Sequence, residues 1–296
     1  MNKDFDQIQE QDEIITPAND VFACVRVAAD EMHTPDEKYF WDNQQRPEHV
    51  WDVLAIQRTV AGTGFFQDAN GPRTVRQGQA MLFSHHEASS YGYPADATEP
   101  YRLRFMQVWP TPAFRPVFEQ LRRDFGPVVS MPDNSIAVAL FNEVFTRYSQ
   151  RTFHDRLHES ELLHRMLIAI YREQVQETHS SDPIEFGYHY VRNHFRSPVN
   201  IKVVAAKCGI SREHFIRQFG ERFGEAPGTM LRRLRLEHAD AMLSATKMTV
   251  EDVAQASGFF NPDSFSRAYR MKFGHSPRGR ATTKAIFPTN HTKHTK

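Results

Sequence analysis

The chain has 296 residues, 40% apolar and 24% charged, which is enough to bury one large or two modest cores and excludes a collagenous or disordered polypeptide. Its formal net charge of zero is an average: residues 182–296 hold 19 Lys and Arg against 10 Asp and Glu (+9), and residues 1–181 hold 17 against 26 (−9). A compact basic half suits a polyanion, because cations beside phosphates release condensed counterions, although a solvated basic surface would carry the same charge.

In chain order, Met1 to Asp20 is acidic and polar, with neither the basic start nor the apolar stretch of a secretory signal. No run approaches the roughly 20 apolar residues of a membrane helix. The chain therefore reads as cytoplasmic, with residues 1–17 an N-terminal arm. Cys24 and Cys208 have no partner at metal-ligand spacing and read as small buried apolar residues.

Val21 to Val27 alternates in polarity and Val50 to Val60 is rich in β-branched residues. Further short strands are expected at Gly64–Gln67, Arg73–Val75, Ala80–Phe83 and Tyr101–Trp109. Gly62, Asn70-Gly71, Gly78 and Gly92-Tyr93-Pro94 punctuate them. This spacing predicts a small closed barrel or jelly roll over residues 18–112. In its last strand, Tyr101, Leu103 and Phe105 make a more apolar inward set than Arg102 and Arg104.

An interior with aromatic and polar groups suits capture of a small polar molecule. Trp41, Trp51, Tyr91 and Tyr93 are candidate stacking faces, and Arg58 and His85 candidate groups for orienting hydroxyls or a carboxylate; each aromatic also suits a plain core position. The nearest approach to a metal-ligand cluster is His85-His86-Glu87. Strand alternation keeps these three from converging on one ion, so no metal, cofactor or catalytic residue is expected.

From residue 113 the pattern turns helical. Ala113–Phe125, Ser135–Gln150 and Asp155–Glu177 carry apolar residues at helical spacing, such as Leu162, Met166 and Ile170. Residues 113–176 are expected to pack on the barrel, pair with a second subunit, or both, and 177–183 (ETHSSDP) read as a linker.

The basic half contains an internal repeat. Val204 to Gly209 matches Val253 to Gly258 at an offset of 49. After one inserted residue, Phe215, Arg217, Phe219, Phe223, Gly224 and Pro227 match Phe265, Arg267, Tyr269, Phe273, Gly274 and Pro277 at an offset of 50. Each unit reads as two helices around a tight turn, about 200–223 and 249–273, within a domain spanning 184–281. Asn200 and Thr249 cap the first helices, Gly209 and Gly258 end them, and Ser211 and Asn261 cap the second helices, with Pro262 at a first helical position. With Phe215 and Phe219 inward, Arg212, Glu213, Ile216 and Arg217 fall on the exposed start of the second helix. Asn261, Asp263, Ser264 and Arg267 do so in the second copy. Arg can bind guanine through two hydrogen bonds and Glu can accept from cytosine; a solvated helix face is the plainer reading for Arg222 or Lys272, but not for Arg217 and Arg267, which stand at matching places in the two copies.

Thr229 to Ala245 lacks Gly and Pro and predicts a stiff connector that could hold two reading helices about one DNA turn apart. At least one of Arg232, Arg233 and Arg235 near its start is expected to touch phosphate. Residues 282–296 read as a disordered tail.

The stretches VVAAKCGISREHFIRQFGERFGEAPGTMLRRLRLEHADAML and VEDVAQASGFFNPDSFSRAYRMKFGHSP resemble the double helix-turn-helix domain of the AraC/XylS family of bacterial transcription regulators. The likeness runs from about Ile184 to Arg280. One departure is Pro262, where the family often carries a polar residue. GTGFFQDANGPRTVRQGQAMLFSHHEASSYGY resembles the cupin-like sensor domain that precedes it in many members. The resemblance implies a two-domain α+β protein: an N-terminal cupin-like β-barrel or jelly roll with following helices, then an all-α double helix-turn-helix. It also implies a homodimer that binds double-stranded DNA under control of a small-molecule effector such as a sugar, with RNA polymerase a further candidate partner. Two rivals remain, a cupin-type metalloenzyme with an accessory DNA-binding domain and a ligand-independent architectural DNA binder.

Overall fold

The computed structural model describes residues 21–48 and 52–282; the N-terminal arm, Trp51 and residues 283–296 lie outside the described residues. Strands β1 (Cys24–His33), β2 (Phe40–Asp42), β3 (Leu54–Ala61), β4 (Thr63–Asp68), β5 (Gly71–Arg76), β6 (Gln79–Ser84), β7 (Ser90–Gly92) and β8 (Tyr101–Trp109) come first. Helix α1 (Phe114–Phe125), strand β9 (Val128–Ser130), and helices α2 (Ile136–Gln150) and α3 (Arg156–Ser181) follow. The strands form two antiparallel sheets, one ordered β1-β8-β3-β6-β9 and one β2-β7-β4-β5.

The central strand β3 is buried on both faces. Leu54 and Ile56 join Met106 and Val108 of β8 under Phe114 and Phe118 of α1, Phe141 of α2 and Met166 and Ile170 of α3. Ala55 faces the other way, into a core with Phe66, Val75, Phe83, Tyr91, Tyr101 and Leu103. The two faces of one strand thus feed two cores. In β8 the apolar set is the inward one: Tyr101 and Leu103 are fully buried, while Arg102 and Arg104 both pair with Asp30.

The closed cupin-like barrel or jelly roll expected for residues 18–112 is not what forms. Both sheets are open, with β1 and β9 at the edges of one and β2 and β5 at the edges of the other. Closing a barrel requires each strand to find hydrogen-bonded neighbours on both sides. Here the larger sheet instead covers its second face with α1, α2 and α3. Alternation and turn spacing report which residues face inward, but they do not encode which edges join.

The three helices begin and end within a residue or two of their predicted bounds, except that α3 continues through the polar stretch to Ser181. Asp182 then starts α4 (Pro183–His194) by accepting from the Ile184 and Glu185 N–H groups at 3.1 Å each, with Pro183 in the first turn. The chain divides into two compact units after Gln174.

The second unit continues with α5 (Ile201–Lys207), α6 (Arg212–Phe223), α7 (Pro227–Ala245), α8 (Val250–Ala256), α9 (Pro262–Phe273) and α10 (Pro277–Thr282). It has two apolar cores. Phe215 and Phe219 of α6 pack with Val191, Val204 and Ala205, and Phe265 and Tyr269 of α9 pack with Val253 and Ala254. Helix α7 belongs to both: Met230 and Leu231 enter the first core, Leu236, Ala239 and Leu243 the second. The two modules therefore share one continuous helix.

Candidate nucleic-acid interface

The two modules are built by the same local chemistry. Asn200 accepts from Val203 N–H at 3.0 Å and Thr249 from Asp252 N–H at 3.1 Å, fixing the starts of α5 and α8. Gly209 and Gly258 make the turns in the left-handed region, at φ +69° and +84°, where a side chain would be strained. Ser211 then caps α6 through His214 N–H at 3.2 Å, and Asn261 caps α9 through the Asp263 and Ser264 N–H groups at 2.9 and 3.0 Å. Gly224 and Gly274 end both helices at positive φ.

The consequence is a matched display of side chains. From Ser211 to Phe219 the run of exposed, half-buried and buried residues is identical to that from Asn261 to Tyr269. Arg212, Glu213 and Arg217 are exposed and Ile216 is half-buried; Asn261, Asp263, Ser264 and Arg267 are all exposed. Arg217 lies 3.2 Å from His214 Nδ1 on the preceding turn. Arg267 lines a groove with Asp263, Ser266, Arg270 and Met271. The side-chain oxygen of Asn261 is engaged by its two cap hydrogen bonds.

The connector arginines differ from one another. Arg235 is half-buried and donates to the Phe195, Ser197 and Val199 carbonyls, so its role is internal. Arg233 pairs with Glu225 at 2.6 Å and Glu237 at 3.5 Å. Arg232 is exposed and makes no ion pair among the described residues. Lys272 and Arg222, for which a solvated position is the simplest sequence reading, are held in ion pairs, Lys272 with Glu237 at 2.7 Å and Arg222 with Asp182 and Glu185.

In the first unit the candidate ligand residues fall into separate groups. Trp41 and Tyr91 sit together: the Arg46 guanidinium lies 3.8 Å from the Trp41 ring centre and donates to the Tyr91 hydroxyl. Phe83 meets Tyr91 at 4.4 Å in a tilted contact and stacks at 6.2 Å with the buried His85. Tyr93 stacks on Tyr101 at 5.8 Å. Arg58 is elsewhere, on the helix-covered face of β3, where it pairs with Asp133 and donates to the Met131 carbonyl. Among the described residues no group of three or more His, Cys, Asp and Glu is placed to hold a metal ion.

Sequence reasoning passed over a buried polar chain between the sheets. The Tyr39 hydroxyl donates to Gln57 Oε1 at 3.3 Å, and Gln57 Nε2 donates to the Tyr101 hydroxyl at 3.2 Å. Burial pushes the ionisation of Tyr39 and Tyr101 upward, so both remain neutral hydroxyls. The available signal was Gln57, a lone amide in the apolar run VLAIQ. Burial pushes both cysteine thiols up to about 11, with Glu159 adding to the effect at the half-buried Cys24, which disfavours the thiolate at each.

Residues 37–167 match an AraC-like ligand binding domain, and residues 204–280 match a helix-turn-helix domain. The xylose operon regulatory protein of Escherichia coli (strain K12) is 23% identical over 175 residues, covering 51% of this chain and 45% of that protein. The chain thus spans less than half the length of these first relatives. The HTH-type transcriptional activator RhaS of Escherichia coli O81 (strain ED1a) is 29% identical over 244 residues, 78% of this chain and 86% of that one. Among solved structures, the DNA-binding domain of AdpA in complex with a target DNA is 28% identical, covering 35% of this chain and 95% of that chain with a TM-score of 0.33. A probable AraC family regulator from Rhodopseudomonas palustris CGA009 is 31% identical over 34% of this chain and 96% of its own, with a TM-score of 0.32. No helix among the described residues is long and apolar enough to cross a membrane.

Proposed function

We propose that this chain, which belongs to the AraC/XylS family, is a transcription regulator that binds double-stranded DNA through residues 184–281 under the control of a small polar effector bound by the first unit. Its role is regulatory, without catalysis. The observation that carries the reading is the identical pattern of exposure over Ser211–Phe219 and Asn261–Tyr269, the leading parts of α6 and α9, two helices presented by cores that share α7. At 19 residues α7 is about 28 Å long, close to the ~34 Å of one DNA turn, which suits two reading helices in successive major grooves.

Arg212, Glu213, Ile216 and Arg217 read bases from the first module, and Asp263, Ser264 and Arg267 from the second. Effector binding falls to the polar chain Tyr39–Gln57–Tyr101 and the adjoining Trp41, Tyr91 and Tyr93. A hydroxyl-rich molecule such as a sugar matches those neutral donors and acceptors. One relative is named as regulating a xylose operon, and here the effector must favour one arrangement of a homodimer over another, or it switches nothing. RNA polymerase is the partner through which the bound regulator acts.

The test is binding of the full chain to a randomised DNA library, with Arg217→Ala alongside. The variant is expected to lose ~1–3 kcal/mol and its preference at one base pair; equal loss on all sequences would assign Arg217 to phosphate. On the sensor side, a sugar panel is expected to include a compound that raises the unfolding temperature, with the rise abolished by Gln57→Leu.

A further inference from the structure

The two modules keep step in their hydrogen bonding until one residue separates them. Ile210 N–H donates to the Ala205 carbonyl at 3.2 Å, and Phe259 N–H donates to the Ala254 carbonyl at 2.9 Å. The capping residue follows at once in the first module, as Ser211. In the second it comes one residue later, as Asn261, and the extra residue is Phe260.

Phe260 is 78% exposed, while its neighbour Phe259 packs against the second core. Lone exposed rings are ordinary on protein surfaces; the position is what sets this one apart. It stands directly before the cap of α9, at the end of a reading helix that approaches base edges. At the two positions next to the ring, hydrogen-bonding capacity is reduced. Pro262 has no N–H, and Asn261 uses its oxygen on the Asp263 and Ser264 N–H groups. At the same end of α6 stand Arg212, Glu213 and His214, all exposed and polar. The first module therefore presents polar and charged side chains at its leading edge, and the second adds an exposed apolar ring beside Asp263 and Ser264. In the major groove the apolar feature of a base pair is the thymine 5-methyl group.

Resting on the reading of α9 as a DNA-facing helix, we propose that Phe260 is a specificity-determining residue of the second module, its ring packing on a thymine methyl group in the major groove.

Deoxyuridine in place of single thymines removes the methyl group and nothing else, so it tests this directly. Sites are selected from random DNA with the full-length wild type, and each thymine is then replaced in turn. At one thymine the wild type is expected to lose about four-fold in affinity, the value of one buried methyl group. Phe260→Ala is expected to bind the thymine and deoxyuridine sites equally, and Phe260→Leu to retain part of the difference. Both variants are expected to unfold at the wild-type temperature, since the ring is exposed. Equal sensitivity of wild type and Phe260→Ala to every replacement overturns the proposal while leaving DNA reading intact. If the wild type selects no sequence at all, the reading of α9 as DNA-facing falls, and this inference with it.

Discussion

Arg235 and Gly258 are interlocked. Arg235 Nε donates to the Phe195 carbonyl at 2.6 Å, and a Cβ on Gly258 would stand 2.8 Å from that nitrogen and 2.8 Å from the same carbonyl. One arginine on the shared helix thus binds the chain entering the first module and lies close against the turn of the second.

Gly209 and Gly258 occupy equivalent turns but have different surroundings, since nothing lies within 4 Å of a Cβ added at Gly209. Gly209→Ala is expected to cost only backbone strain, about 1–2 kcal/mol. Gly258→Ala must also displace Arg235 or the Phe195 carbonyl, an overpacking term of ~1–3 kcal/mol on top. Urea denaturation of both variants checks this; equal losses would mean that the second turn relaxes freely.

Arg232 is the exposed connector arginine without an ion pair among the described residues, and under the proposed function it is the one assigned to phosphate. Arg232→Gln is expected to weaken DNA binding evenly across sequences and to reduce the slope of log K against log salt by about 1. Arg233→Gln, which first breaks pairs with Glu225 and Glu237, is expected to change the slope less. Affinities at four or five salt concentrations separate the two.

His238 lies on α7 with Nδ1 at 3.2 Å from the buried hydroxyl of Ser257. Burial, and secondarily the charge of Arg196, lower its pKa below the usual ~6.5. The unfolded chain therefore takes up a proton that the folded chain resists. The stabilisation is complete above about pH 6.5 and is lost as pH falls toward the folded pKa. Unfolding temperature is expected to drop between about pH 7 and pH 5.5, and less so in His238→Gln. Identical pH profiles for the two proteins would exclude His238 as the source.

Asp240 accepts from the Tyr269 hydroxyl and from Arg280 at 3.1 Å, joining α7, α9 and α10. Burial and then Asp240 push the Tyr269 ionisation upward, so the hydroxyl stays a donor. Asp240→Ala leaves that donor without its acceptor and is expected to cost ~1–3 kcal/mol. Tyr269→Phe in the same background is expected to restore part of the loss, a comparison that a double-mutant cycle reads directly.

The helices of the repeat and their starts were legible in the residue order because caps, glycine turns and apolar spacing act within one or two turns of chain, whereas α4, α10 and the continuation of α3 to Ser181 were not. Asn200, Ser211, Thr249 and Asn261 each cap a helix through N–H groups two or three residues on. The repeat carried the paired modules for the same reason, since Phe215 and Phe265 needed only their own neighbours to be placed inward. Strand pairing was different. Gln57 and Tyr101 lie 44 residues apart, and Arg58 and Asp133 lie 75 apart. Whether the sheets close, which face of β3 holds Arg58, and that Arg235 turns inward while Arg232 stays outside were decided only when distant segments packed. A strand's periodicity fixes which side a residue faces but leaves open what waits on that side, because its partners are supplied by hydrogen bonds between remote parts of the chain.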